Sequence, residues 1–238
     1  MYAIAFKIKA PFGHFRNPYT TAFKQTYPFP PKPTIIGLTG AILGWDEKTV
    51  LEKIDEFKIA IPFLANKGKM IEYTFIFGVG KLRGDSRGQE EFRPERFEIL
   101  LYPEYEIILL HEYENTLREI EIRIKSRDFE FPLYMGKNEF LITHIEISKD
   151  VFNVDEVEIE KPSGVIFVEG NTIPQFEGFN DRFASAEVFM GVPKSLKNLE
   201  GRRIQKETCV VLLPKKTPIK LVKPLPGIKI DEAEYTII

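Results

Sequence analysis

Six prolines between residues 10 and 33 constrain the fold of this chain more than any other feature. Proline lacks a backbone N–H and fixes φ, so a stretch this rich in proline cannot continue a strand inside a sheet. The preceding residues 1–9 alternate large apolar side chains with alanine and lysine, the period of two that is typical of a half-buried strand. The sequence therefore predicts a strand at 1–9 followed by an ordered loop over 10–33.

A short, almost wholly apolar helix is predicted directly after this loop. Thr34 is the expected N-cap of the helix, and Gly44 is its expected end. A helix that is apolar all round is expected to be buried, with Gly37 and Gly40 allowing tight packing. Asp46 then opens a second, amphipathic helix that is expected to cover the flank of the sheet.

The middle of the chain predicts a long hairpin. A polar insert, "GKLRGDSRGQEEFRPER", separates two pairs of strands, which are expected at about 58–65 and 70–78 before it and at about 97–102 and 105–111 after it. So many charged side chains cannot be buried, and the insert is therefore expected to project from the core like a thumb. The segment 115–127 is interpreted as a helix, although Ile120, Ile122 and Ile124 also alternate as in a strand.

The order of these elements predicts an α+β fold. A ferredoxin-like (RRM/RAMP) βαββαβ domain would span residues 1–148 and carry the β-hairpin thumb over about 70–111. Its last strand is expected within 131–147, interrupted by a turn at 136–138. Short β-like runs separated by proline and glycine predict a smaller β-rich C-terminal domain over 149–238; these runs lie at 165–169, 186–190, 208–213 and 219–223.

Charges are segregated along the chain. Residues 1–45 contain five Lys and Arg and no acid, so with a net charge of −2 the remaining residues carry −7. A second acid-free run, 208–230, contains five lysines. Two basic, acid-free segments favour a polyanionic partner such as nucleic acid, and an ordinary solvated surface is the alternative.

Composition and motif spacing argue against several other classes of protein. The single cysteine, Cys209, excludes an internal disulfide framework. Lys7 and Lys9 lie where a signal peptide needs its apolar core. Both observations lead us to expect a cytoplasmic protein. The longest uncharged apolar run, 33–45, is shorter than the roughly 20 residues of a membrane span. No metal-ligand spacing or Ser/His/Asp arrangement is readable, so no cofactor, metal or small-molecule substrate is expected. Abundant Lys and Glu with few Met resemble a thermophile's composition, although a mesophile surface could show the same pattern.

Two stretches of the chain match a known family at many positions. The first is "GHFRNP" followed by "QTYPFPPKPTIIGLTGAILG", and the second, about ninety residues later, is "FPLYMGKNEFL". Together they closely resemble the signatures of the CRISPR-associated Cas-five family, over roughly the N-terminal 145 residues. The resemblance implies a RAMP-superfamily palm with a hairpin thumb, which caps one end of a type I Cascade effector complex. In that role it grips the 5′ handle of the guide RNA beside the backbone and large subunits.

The loop supplies residue types that suit RNA. Basic side chains can contact phosphates, and aromatic or imidazole rings can stack on unpaired bases. Prolines hold the loop in order, which reduces the entropy lost when RNA binds. RNA contacts are therefore expected from the loop, the thumb and the 136–138 turn: His14, Arg16, Lys24, Tyr27 and Lys32, then Lys81, Arg83 and Arg87, then Lys137.

Two other functions stay open at this stage. One branch of the family is a metal-independent endoribonuclease that uses Tyr, Lys and His. Here Leu43 and Gly44 stand where that Tyr would lie, and no adjacent Lys-His pair occurs, so a non-catalytic protein is expected. His14 is the residual candidate for a general acid or base. The other alternative is a structural subunit that contacts only protein, a role that a thumb carrying both acidic and basic residues could also serve.

Overall fold

β-Strands predominate in the structure, a computed structural model that describes residues 1–79, 90–170, 172–177, 186–198, 203–213 and 219–238. Within these ranges three helices accompany the strands: α1 (Lys32–Leu43), α2 (Glu47–Lys53) and α3 (Glu114–Ser126). None of these three helices has the length and apolar character needed to cross a membrane.

The central sheet has four antiparallel strands. In spatial order they are β10 (His144–Asn153), β1 (Tyr2–Lys9), β9 (Glu104–His111) and β6 (Lys58–Ala65). The first strand of the chain thus lies inside the sheet, where Phe6 pairs with Ile107 of β9 and with Ile147 of β10. Along the chain, α1 and α2 connect β1 to β6, and α3 connects β9 to β10.

Both faces of β1 are buried, whereas its alternating pattern predicts a half-buried strand. Phe6 lies in the same core cluster as Ile36 of α1, so the helices cover one face. Ala3 and Ala5 on the other face are equally buried, in a cluster with Ile228 of β15 (Leu225–Ile230). The C-terminal strands therefore cover the back of the central sheet, which the sequence of β1 alone could not reveal.

The predicted hairpin is present between β6 and β9. It consists of β7 (Lys69–Val79) and β8 (Glu90–Leu101), which pair in antiparallel register along their whole described length. Its strands are longer than predicted because residues 90–96, assigned to the polar insert, belong to β8. The connecting residues 80–89 lie outside the described part of the chain, and β9, within the predicted thumb range, lies in the central sheet.

The proline-rich loop is ordered by four strands of two residues each. These are β2 (Phe12–Gly13), β3 (Phe15–Arg16), β4 (Phe23–Lys24) and β5 (Thr26–Tyr27). β3 and β5 pair with each other, whereas β2 and β4 both pair with β8. The loop therefore folds back on itself and lies along the base of the hairpin.

The helix boundaries differ from prediction at one point. α1 begins at Lys32 with Pro31 as its N-cap, so the assignment of Thr34 as the cap is wrong: the N–H of Thr34 already donates to the Pro31 carbonyl at 2.9 Å. Proline is favoured in the first turn of a helix, because the N–H that it lacks would have no hydrogen-bond partner within the helix there. Gly44 ends the helix at φ +78°, as expected. Asp46 caps α2 by accepting a hydrogen bond from Thr49 N at 2.8 Å. The segment interpreted as a helix over 115–127 is helical up to Ser126, and Arg127 is its C-cap at φ +55°.

The segment 131–143 is not a strand, which corrects that prediction. Its only described bridge joins Tyr134 to Leu141 across the turn, and β10 begins at His144. Gly136 in the turn has φ +88°, a conformation that breaks strand geometry and favours glycine. The predicted domain boundary after residue 148 falls inside β10, and the division into two domains stays a prediction.

Two further sheets are formed by the C-terminal residues. One contains β12 (Val165–Glu169), β14 (Arg203–Leu212) and β13 (Glu187–Asn198), in that spatial order. The other contains β11 (Glu156–Ile159), β15 and β16 (Ala233–Thr236), and this sheet was not predicted. β13 also packs against α1, which brings the C-terminal residues beside the start of that helix.

Candidate nucleic-acid interface

The two sequence motifs, about ninety residues apart, pack directly against each other. The N–H of His14 donates to the carbonyl of Met135 at 3.1 Å. A Cβ at Gly136 would lie 2.1 Å from the His14 carbonyl oxygen, and one at Gly13 would lie 2.8 Å from Met135 Cγ. Only glycine permits this approach, because Gly136 has positive φ as well as no room for a side chain. The motifs thus form one structural unit.

A cleft of about 910 Å³ opens where this unit meets the start of α1. Its polar side carries His14, Arg16 and Lys137. Its other side is largely apolar and includes Leu38 of α1 and Leu196 of β13. Cations beside an apolar wall suit a ligand that combines an anionic group with a flat apolar one, as a nucleotide does.

His14 forms part of the wall of the cleft and is 3% exposed. Its Nδ1 lies 2.7 Å from the backbone carbonyl of Glu98 on β8, and because a carbonyl only accepts, Nδ1 carries the proton. Burial is the main cause that lowers the pKa of His14, and the nearby charges of Lys137 and Arg16 lower it further, against the opposing effect of the Glu98 hydrogen bond. His14 is therefore a neutral ring that ties the loop to the hairpin.

Lys24 and Lys137 both lie against the ring of Phe97, a buried residue of β8. Lys137 Nζ lies 4.0 Å from the centre of the ring, and Lys24 Nζ lies 4.7 Å from it. Lys24 also forms an ion pair with Glu95, so the loop that is acid-free in sequence receives an acid from the hairpin. Burial lowers the pKa of Lys24, with smaller contributions from the positive charges of Arg16 and Lys137.

Arg16 is the cation of the cleft that is most available to a ligand. Its side chain is exposed on β3, and within the described ranges its guanidinium forms no hydrogen bond or ion pair. An unpaired guanidinium can offer two parallel N–H donors to one phosphate or carboxylate. The structure thus places Arg16, a predicted RNA contact, in the cleft with no pairing partner among the residues that it describes.

Two predicted RNA contacts are buried away from solvent, which corrects the expectation that they face a ligand. Tyr27 is 1% exposed and stacks on Phe29 in the core, and burial raises its pKa to about 12. Lys32 is 3% exposed, and burial, followed by repulsion from Lys194, lowers its pKa to about 8. Phe15 and Phe29 of the same loop are also core residues, whereas Phe12 is 41% exposed.

The predicted thumb contacts Lys81, Arg83 and Arg87 lie outside the described residues. Among the residues that the structure does describe, no group of three or more His, Cys, Asp or Glu side chains could hold a metal ion.

Sequence reasoning missed several residues of the cleft. Phe97 was predicted only as the first residue of the strand that follows the polar insert, and Gly37 was assigned to helix packing. A Cβ at Gly37 would meet nothing within 4 Å, so this glycine faces the open cleft, whereas Gly40 does pack tightly, 2.7 Å from Val50 Cγ2. Tyr134 and Asn138 also line the cleft, and their position beside the turn of the second motif was the available signal.

Comparison with known proteins agrees with this arrangement. The model of the family described as CRISPR-associated protein (Cas_Cas5) matches residues 3–160, about two thirds of the chain. None of the curated proteins matches the chain significantly in sequence. A chain of a CRISPR RNA-guided surveillance complex is similar in fold, with a TM-score of 0.55 and 14% identity over 93% of this chain and 91% of that one. The crystal structure of a Cas protein is also similar, with a TM-score of 0.50 and 13% identity over 93% of this chain and 95% of that one.

The family match includes both motifs, and therefore both segments that build the polar side of the cleft. The structural similarity covers nearly the whole length of each compared chain and concerns the fold alone. With a family model matched over most of its length, the chain belongs to the CRISPR-associated Cas5 family.

Proposed function

We propose that this protein is the RNA-binding subunit of a type I CRISPR Cascade effector complex, where it caps the 5′ handle of the guide RNA. The observation that carries the proposal is the cleft, in which the guanidinium of Arg16, unpaired among the described residues, and the ammonium of Lys137 lie beside an apolar wall. Cations can contact the backbone phosphates of an unpaired RNA segment, and the wall can receive a base.

The fold supports the same proposal. The central sheet has the chain order strand, helix, strand, strand, helix, strand, with the hairpin of β7 and β8 inserted between the middle strands. We interpret it as the ferredoxin-like palm shared by many RNA-binding modules, and the hairpin as its thumb.

The hairpin also offers a surface for partners, which we propose to be the backbone and large subunits of the complex. Ile71, Tyr73 and Phe75 follow one another on the same face of β7, and they are 52%, 71% and 71% exposed. An exposed apolar stripe of this kind is typical of an interaction site. A chain of similar fold comes from a CRISPR RNA-guided surveillance complex, which supports a role within an assembly.

We propose further that the protein does not cleave RNA. A general base must reach the proton that it removes, and because Nδ1 of the candidate His14 donates to the Glu98 carbonyl, the basic lone pair of its ring is on Nε2. Its Nε2 is buried, without a hydrogen-bond partner among the described residues. Incubating the protein with repeat RNA in EDTA tests this point: we expect intact RNA, and site-specific cleavage that His14→Ala abolishes would show an endoribonuclease instead.

A charge reversal at Arg16 tests RNA binding. Arg16→Glu replaces a charge-assisted contact of about 1.5–3 kcal/mol with repulsion, so we expect the affinity for handle RNA at low salt to fall by more than about tenfold. Its thermal midpoint should barely change, because the arginine is exposed and unpaired within the described ranges. Fluorescence anisotropy with labelled RNA provides the measurement.

Lys48→Glu is the matched control for this variant. Lys48 lies on α2, outside the cleft lining, and its side chain is 82% exposed. The two variants change the net charge equally, so a general electrostatic effect would weaken RNA binding in both. Equal affinities for the two variants would contradict the proposed site, and tight partner binding with no RNA binding by the unmodified chain would indicate a protein-only scaffold.

A further inference from the structure

Lys24 of the loop and Lys137 of the cleft lining both have their ammonium groups against the ring of Phe97. We propose that Phe97 is a positioning residue that holds the ammonium groups of Lys24 and Lys137 ready for the RNA backbone; this inference rests on the proposed function. Phe97 lies on β8, is 6% exposed and contributes to the lining of the cleft. Its ring therefore stands where the hairpin meets the two sequence motifs.

The geometry fits cation–π contacts. Lys137 Nζ is 4.0 Å from the ring centre and Lys24 Nζ is 4.7 Å from it, both within the roughly 6 Å over which the face of an aromatic ring attracts a cation. The imidazole of His14 meets the same ring edge-on, with ring centres 5.6 Å apart and planes at 84°. The ring of Phe97 is thus in contact with His14 as well as with the two ammonium groups.

An aromatic ring holds a cation in a way that a carboxylate does not. Glu95 pairs with Lys24, and Glu139 lies 3.5 Å from Lys137, so each lysine has an acid that partly neutralises it. The ring carries no net charge, so it restrains the ammonium groups while leaving their charge available to a phosphate. When RNA displaces the acids, the lysines keep their positions, and less side-chain entropy is lost on binding.

The position of Phe97 also links the cleft to the hairpin. The Cα partner of Phe97 in the pairing of β8 with β4 is Lys24, and its partner on β7 is Glu72. A shift of the hairpin therefore moves the ring of Phe97 and, with the ring, the positions of both ammonium groups. Through this one side chain, the orientation of the hairpin sets the distance between the two RNA-binding ammonium groups.

The first test measures lysine positions without RNA. With ¹³C-labelled lysine, the Cε protons of Lys24 and Lys137 should show upfield ring-current shifts, assigned through Lys24→Arg and Lys137→Arg variants. Phe97→Leu keeps an apolar side chain but removes the ring, so both shifts should vanish. Shifts that are absent from the unmodified protein, or unchanged in a folded Phe97→Leu variant, would overturn the proposal irrespective of RNA.

The second test weakens the ring electrostatically at nearly constant size. Mono-, di- and trifluorinated phenylalanine at position 97 progressively reduce the negative potential of the ring face, so the Kd for handle RNA at low salt should rise stepwise, by about threefold to tenfold in total. A merely apolar role would not produce such a trend. The matched control is the same series at Phe6, a core residue of β1 that is 1% exposed and has no cation contact within the described residues.

The two readouts separate failure of the inference from failure of the proposed function. Ring-current shifts together with a stepwise loss of affinity confined to position 97 would support both. Ring-current shifts with no RNA binding by the unmodified protein would contradict the proposed function and with it the role of the ring toward RNA. RNA binding that is insensitive to fluorination at position 97 would overturn the role of Phe97 alone.

Discussion

Lys32 carries a buried positive charge whose ammonium has no hydrogen bond or ion pair among the described residues. It is the first residue of α1, where the helix dipole disfavours a cation, and no acid lies in that first turn. Burial lowers its pKa from 10.5 to about 8, because the low-dielectric surroundings penalise the charged form. Below pH 8 the buried Lys32 of the folded protein is therefore still charged, and the unfavourable free energy of burying that charge remains.

Lys32→Met should stabilise the protein. Methionine has a similar shape and no charge, so we expect the free energy of unfolding at pH 7 to rise by about 1–3 kcal/mol. The advantage should shrink between pH 8 and 10.5, because there the folded native lysine has released its proton while the unfolded chain still holds it. Chemical denaturation at several pH values measures this. Lys48→Met, at an exposed position, is the control, and a loss of handle RNA binding in Lys32→Met would instead place Lys32 at the RNA.

His14 should make the stability depend on pH in the acid range. Its pKa in the folded protein is lowered below 6.5, mainly by burial, so the unfolded chain takes up the proton first as the pH falls. The contribution of the neutral ring is thus present above about pH 6.5 and is lost as the pH falls through the folded pKa. In His14→Asn, which retains an amide donor near the position of Nδ1, this loss should be absent. Thermal midpoints between pH 7.5 and 5 that fall in parallel for both proteins would refute the assignment.

The predicted contact residues that line the cleft are those whose surroundings are local, and their contact with RNA stays a prediction. Arg16 and Lys137 reach the cleft because each lies in a motif held open by proline or glycine. Tyr27 was misassigned because its ring packs in the core against Phe189, a residue far away in the chain. The acid that pairs with Lys24 likewise comes from the hairpin, so charge segregation along the sequence does not persist in space.

At the scale of elements, α1 is the helix that both builds the core and borders the cleft. Its two interior glycines have opposite surroundings. A Cβ at Gly40 would lie 2.7 Å from Val50 Cγ2 on α2, whereas a Cβ at Gly37 would meet open space. Gly40 therefore allows α1 and α2 to pack closely, whereas Gly37 leaves the wall of the cleft open.

Gly37→Ala and Gly40→Ala should accordingly change stability in opposite directions. At Gly37 alanine gains helix propensity at no steric cost, so we expect the free energy of unfolding to rise by about 0.5–1 kcal/mol. At Gly40 the same gain is outweighed by overpacking against Val50, and we expect a net loss of about 1–3 kcal/mol. Urea denaturation of the two variants provides the comparison. A stabilised Gly40→Ala, or a destabilised Gly37→Ala, would contradict the described packing of α1.

Elements with strong local signals were predictable. Asp46 as the cap of α2 and the hairpin between β6 and β9 follow from capping and charge patterns. The periodicity of α3 was ambiguous, because its isoleucines also alternate as in a strand. The sheet of β11, β15 and β16 was missed because its strands are short and β15 contains Pro226 and Gly227, which ordinarily argue against a strand. Its pairing is enforced by packing against the back of the central sheet, where Ile228 is fully buried.

At the scale of the whole molecule, the C-terminal residues complete the cleft that the two sequence motifs form in part. The strands β15 and β16 cover one face of the central sheet, and β13 and β14 contribute Pro193, Leu196 and Ile204 to the wall of the cleft. The family resemblance covers only the first part of the chain, so this contribution could not be read from the motifs. The cleft is thus a product of the entire fold.

Gly37→Trp tests whether the cleft receives the handle of the guide RNA, as we propose. Gly37 lies on α1 with open space before it, so an indole at this position fills the cleft without displacing the core. Gly37→Ala is the matched control, because it alters the helix in the same place and leaves the cleft open. The measurement is the Kd of each variant for labelled handle RNA at low salt, with thermal midpoints to confirm folding. We expect Gly37→Trp to bind more than about tenfold more weakly than Gly37→Ala. Equal affinity of the two folded variants would contradict binding of the handle in this cleft.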